Sequence, residues 1–88
     1  MQIAVICPFI NSIAIGYAEG VIEHLMGLKV NVIIDKNLND GLEDNALKEQ
    51  LSVFTSLDSS TYFLICIGGD GSMLQAVTTV RESNVPIL

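Results

Sequence analysis

FLICIGGDGSMLQAVTTVRE, residues 63–82, passes from a continuous apolar run through a glycine-rich turn into a helical pattern. Phe63 to Ile67 suit a parallel strand covered on both faces and central in its sheet, which Gly68 ends at once. Beyond the turn, Met73, Ala76, Val77 and Val80 fall at i, i+3, i+4 and i+7. That spacing predicts a helix with this face inward and Gln75, Thr78, Thr79, Arg81 and Glu82 turned away. A turn leading from the carboxyl end of a parallel strand into a helix offers unpaired N–H groups and the positive end of the helix dipole, a setting for anions. Gly68, Gly69 and Gly71 remove three β-carbons around Asp70 and let another molecule approach the backbone. A bare phosphate would be repelled by that carboxylate, so the pattern suits a hydroxyl, or a metal ion carried by phosphates, at Asp70. The competing reading is a tight turn in which Asp70 accepts local backbone hydrogen bonds. The glycine-rich context between an apolar strand and an amphipathic helix favours function.

The run GGDGS, followed by Met73, Leu74, Gln75 and Ala76 and then by NVPIL after the helix, resembles the N-terminal domain of the NAD kinases. Their motif reads GGDGT, two apolar residues, a variable and often basic position, and Ala. GGDG alone is shared with phosphofructokinases and with lipid kinases. Lipid kinases place Asn-Glu where this chain has Leu74-Gln75, and phosphofructokinases carry a second glycine-rich loop where it has Cys7-Pro8-Phe9-Ile10. Two positions depart from the NAD kinase pattern. Ser72 replaces Thr and keeps the hydroxyl; Gln75 stands where Arg or Lys is frequent, which removes a charge near the nucleotide. Ser72 and Gln75 also spell S-x-x-Q, a capping box, so Gln75 is read equally as a cap and as a ligand contact.

With 88 residues the chain is at most one small domain, yet half of it is hydrophobic and only 16% is charged. So high an apolar load implies neighbours that cover it. The formal net charge of −6 disfavours nucleic acid and anionic membranes as partners, since both select clustered Lys and Arg. No window is long enough to span a membrane and no secretion signal precedes the first strand, so the cytoplasm is the expected compartment. Cys7 and Cys66 lack metal-ligand or redox spacing and read as small buried hydrophobes.

Ile3 to Cys7 form a second apolar run, expected to pair beside the motif strand. Asn11-Ser12 can cap a helix whose inner face holds Ala14, Tyr17, Ala18, Val21, Ile22 and Leu25, with Glu19, Glu23 and His24 opposite and Gly27 as its stop. Gly16 and Gly20 are expected to pack closely on the sheet, and His24 is a solvated helix residue. Val30 to Ile34 make a strand closed by Asp35. That acid is a strand-end residue, because the first turn lacks the glycines of a dinucleotide phosphate loop. Asn37 to Gly41 signal a turn, and Leu47, Leu51 and Phe54 keep the spacing of a short helix. After Ser83-Asn84, Pro86 to Leu88 begin a further buried strand.

The expected fold is α/β: a three-layer, Rossmann-like parallel sheet with flanking helices. Residues 1–88 read as a truncated N-terminal domain from which a β-rich C-terminal domain is missing. The resemblance implies transfer of the γ-phosphoryl group of ATP to the 2′-hydroxyl of the adenosine ribose of NAD, giving NADP, with a divalent metal, usually Mg²⁺. Asp70 would orient that hydroxyl and take its proton. Gly68, Gly69 and Gly71 would offer N–H groups to the nucleotide phosphates, with Ser72 and Gln75 beside them, and no protein ligand to the metal is assigned. The implied partners are small-molecule nucleotides, the missing domain and further copies of the chain in a homo-oligomer. A non-catalytic nucleotide-binding domain and a lipid or sugar kinase domain sharing the turn are the alternatives.

Overall fold

The computed structural model describes residues 1–68, 70–80 and 83–88, with Asp70 described by its backbone alone. The elements run β1 (Gln2–Ile6), α1 (Ser12–Gly27), β2 (Asn31–Asp35), α2 (Lys36–Gly41), α3 (Asn45–Glu49), β3 (Ser52–Phe54), β4 (Phe63–Cys66) and α4 (Asp70–Val80). All strand pairings are parallel, in the order β3-β2-β1-β4, with Ile3 opposite both Val32 and Phe63. β4 is therefore the last strand of this order and not a central one as expected; on its outer side Ile87 alone pairs with it, through an isolated parallel bridge to Leu64.

Alternate strand residues feed two separate cores. Val5, Cys7, Val32 and Ile34 pack with Ile15, Ala18 and Ile22 of α1 and with Leu38, Leu42 and Leu47 on one face. Ala4, Ile6, Ile33 and Leu64 pack with Ala76 of α4 and with Val85 on the other. The three-layer α/β expectation therefore stands, and it has a simple cause: a strand with helices above and below it has no polar face.

The helices keep part of their expected faces: Ala18 and Ile22 of α1 and Ala76 of α4 are buried, and Ala14, Leu25 and Val80 pack against the cores. In α1 the buried positions are Ile15, Ala18 and Ile22, whereas Tyr17 is 71% exposed. A β-carbon on Gly16 or Gly20 would meet nothing within 4 Å, so sheet packing does not account for either glycine. In α4, Ser72 and Ala76 are buried and Val80 half-buried, while Met73 and Val77 stay exposed beside Leu74. α4 begins at Asp70. Ser72 thus sits within the first turn and is not the cap of an S-x-x-Q box. Arg81 and Glu82 lie outside the described residues.

The middle of the chain is corrected most. Residues 36–41 form α2 rather than a turn, capped by Asp35, whose carboxylate accepts from the Leu38 N–H at 3.0 Å. Asp44 caps α3 in the same way through the Leu47 N–H at 3.1 Å. Leu51 falls beyond that helix, and Phe54 belongs to β3, a strand too short for its periodicity to register in the sequence.

Gly27 closes α1 without providing the left-handed residue. Lys29 does so, with φ 62°, while its N–H donates to the Met26 carbonyl and the Val30 N–H to that of Leu25. This is a Schellman ending with a lysine in the place that glycine prefers. Lys29→Gly should raise stability by about 1 kcal/mol, read as a higher denaturation midpoint with unchanged slope.

Candidate functional site

In a parallel sheet, ligands collect where successive connections leave in opposite directions at the carboxyl ends of the strands. Here β1, β2 and β3 progress one way and β4 lies on the other side of β1, so the opening is between β1 and β4. Two loops flank it: residues 7–11 after β1, and the glycine-rich turn after β4. The Ile67 N–H donates to the Ile6 carbonyl at 2.9 Å, which carries the strand pairing up to the turn.

The described glycines serve different ends. Gly68 has φ 142°, which side-chain-bearing residues rarely adopt, and a β-carbon there would lie 2.1 Å from the Ser72 hydroxyl oxygen. Gly71 is constrained less: its β-carbon would touch only the ring of Phe9, at 3.2 Å, and that ring is largely exposed and free to shift. Gly69 and the Asp70 side chain lie outside the described residues; the Asp70 backbone opens α4.

Ser72 is 1% exposed, and its hydroxyl, set against Gly68, has no hydrogen-bond partner among the described residues. Its carbonyl accepts from the Cys66 thiol at 3.3 Å, tying the first turn of α4 to the end of β4. Gln75 is exposed and faces elsewhere, into a cleft of about 210 Å³ shared with Ile6, Pro8, Asp35, Asn37 and Thr79. A second cleft, of about 330 Å³, adjoins it through Asp35 and Thr79 and is lined by Phe54, Thr55, Ser56 and Thr78. On the α1 side of the turn a more apolar cleft of about 330 Å³ is lined by Asn11, Ile13, Ala14, Tyr17, Ile67 and Gly68. The motif therefore separates a polar cleft from an apolar one. Gly68 and Ser72 meet, Gly71 meets Phe9, and Gln75 joins a different set of residues.

Asp35 is the residue that the sequence reading set aside and the structure returns to this edge. It closes β2 as expected and lines both polar clefts. Burial pushes its carboxyl above the usual carboxylate range, against the lowering effect of the Leu38 N–H. Asn37, read only as a turn residue, lines the same cleft and donates from its amide to the carbonyls of Cys7 and Pro8, each at 3.2 Å. Nothing in the sequence distinguishes Asn37 from its polar neighbours. Burial raises both thiols; for Cys7 the charge of Asp35 and then Cys66 add to it. They stay protonated near neutrality; Cys7 is buried as expected, whereas Cys66 is only half-buried.

The strand order and the turn define a parallel α/β domain that opens at its switch point around a glycine-rich loop. Residues 3–88 match the ATP-NAD kinase N-terminal domain family, and the chain belongs to it. It is similar to the NAD kinase of Flavobacterium johnsoniae, with 43% identity over 63 residues that cover 67% of this chain and 21% of that protein. The NAD kinase of Flavobacterium psychrophilum is 33% identical over 92 residues, spanning all of this chain and 31% of the relative. That of Christiangramia forsetii is 28% identical over the same extent. The chain thus spans less than a third of the length of these curated relatives.

Gly68→Ala should cost about 2 kcal/mol or more, combining backbone strain with a steric clash, and Gly71→Ala clearly less; paired denaturation curves measure the difference. A separate expectation concerns pH. Because the folded-state value of Asp35 is raised, its stabilising contribution is complete below the ordinary carboxylate value and is lost as pH rises through the raised one. Asp35→Asn keeps a cap acceptor without the charge. Its stability relative to the parent should therefore climb through that window and level off above it, as a series of melts from acid to neutral pH would reveal.

Proposed function

We propose that the protein to which these residues belong is an NAD kinase that transfers the γ-phosphoryl group of ATP to the 2′-hydroxyl of the adenosine ribose of NAD. The observation that carries this reading is the GGDGS turn at the carboxyl end of β4, beside the switch point, in a chain of the ATP-NAD kinase N-terminal domain family. Asp70 orients the ribose hydroxyl and accepts its proton, a task that phosphoryl transfer asks of a carboxylate of ordinary acidity. Backbone N–H groups of the turn and the first turn of α4 face the phosphates, where the helix dipole favours negative charge. Ser72 holds the turn in shape through Gly68, and Gln75 borders the nucleotide without adding charge.

Mg²⁺ enters this reading bound to ATP and neutralises charge on the phosphates. Among the described residues no three His, Cys, Asp or Glu side chains converge as a metal cage. Residues 1–88 form the N-terminal α/β domain, and a C-terminal β-rich domain completes the nucleotide groove. No described helix is long and apolar enough to cross a membrane.

NADP formation from ATP, NAD and Mg²⁺ by the intact protein tests the reading. Activity should be present, should fall at least about a hundredfold in Asp70→Asn, and should be absent from residues 1–88 alone, since two nucleotides must be positioned at once. A folded intact protein inactive on NAD but active on a lipid or sugar hydroxyl would keep the turn and change the substrate.

A further inference from the structure

One face of the sheet is left half covered. α1 packs over β1 and β2, while the same face of β4 shows Ile65, only partly buried, at the floor of an open groove of about 600 Å³. The groove wall is the free side of α1: Gly16, Tyr17, Gly20, Val21 and Leu25, with His24 at the rim. Ile13 and Tyr17 carry the apolar surface on towards Ile67 and Gly68. From Ile13 to Leu25 this wall is about 18 Å long, three to four helical turns.

We propose that this groove is the seat of a helix from the polypeptide that follows Leu88 in the intact protein. Three observations choose that occupant. Strands of a parallel sheet are covered on both faces, and α4 covers β4 on one side only. The matched family is an N-terminal domain and the matched stretch is under a third of the relatives' length, so polypeptide is at hand to supply a cover. Residues 86–88 pair along the outer edge of β4, with the Leu88 N–H donating to the Leu64 carbonyl at 2.7 Å, so the path onward starts beside the groove. Gly16 and Gly20, whose missing β-carbons face open space here, then acquire a purpose: they let a second helix backbone approach α1 closely. The inference rests on the fold and on family membership and stands apart from the reaction proposed above.

The sign of a stability change tests it. On a face open to water, Gly20→Ala improves helix propensity and raises the melting temperature. Beneath a packed helix, Gly20→Leu in the intact protein lowers it by several degrees, with Gly20→Ala neutral or mildly lowering, and sedimentation stays that of the parent. Tyr17→Cys adds a readout independent of folding energy: its thiol should react with a maleimide at least tenfold more slowly in the native intact protein than after denaturation. A raised melting temperature together with rapid labelling overturns the proposal. So does protection that disappears when the protein dissociates on dilution, because the occupant is then a second copy of the chain.

Discussion

Two-sided burial of parallel strands governs this fold. Every residue from Ile3 to Cys7 is buried, and β1 is paired along both edges, so it can hold neither a polar side chain nor an unpaired peptide group. Both layers of helices follow from that demand, and so does the position of the functional edge. With the strand faces taken up by packing, chemistry is left to the ends of the strands. The segments there are free to carry Asp35 at the end of β2, Asn37 in α2 and the glycine-rich turn.

This explains what could be read from the sequence. Long apolar runs made the strands at Ile3–Cys7 and Phe63–Ile67 legible together with their pairing to each other, although β4 lies at the end of the strand order and of its residues only Leu64 is buried. Helix faces were legible in part: Ala18, Ile22 and Ala76 are buried as their spacing indicates, whereas Tyr17 and Val77 of the same expected faces stay exposed. β3 was missed since three residues, Ser52 to Phe54, cannot display an alternation and Phe54 also fits helical spacing. Asp35 acts as a cap whose meaning depends on a helix that local composition, rich in Asn and Gly, argues against. At the site, the motif was visible because glycine and aspartate break the apolar pattern at one point. Asn37 had no such contrast, and its place beside Gln75 is a product of tertiary structure alone.

Around the turn, shape is maintained by exclusion more than by attraction. The backbone of Gly68 occupies a conformation closed to other residues, and the hydroxyl of Ser72 fills the space a β-carbon would need. A buried hydroxyl with no partner among the described residues costs about 1–3 kcal/mol, so the serine is not explained by stability. The tie between the end of β4 and the first turn of α4 is made by the Cys66 thiol, which donates to the backbone carbonyl of Ser72 and not to its hydroxyl.

The pairing of residues 86–88 with β4 also bears on solubility. A sheet edge with free peptide groups invites other chains to add to it. At one edge β3 is too short to offer much of a template, with Ser52 and Thr55 near its ends. At the other, the N–H groups of Leu64 and Cys66 and the carbonyl of Leu64 are already taken by the Pro86–Leu88 segment, so the apolar motif strand is withheld from strangers. Those three residues shield the motif strand from edge-to-edge pairing with another chain, a duty unrelated to any ligand.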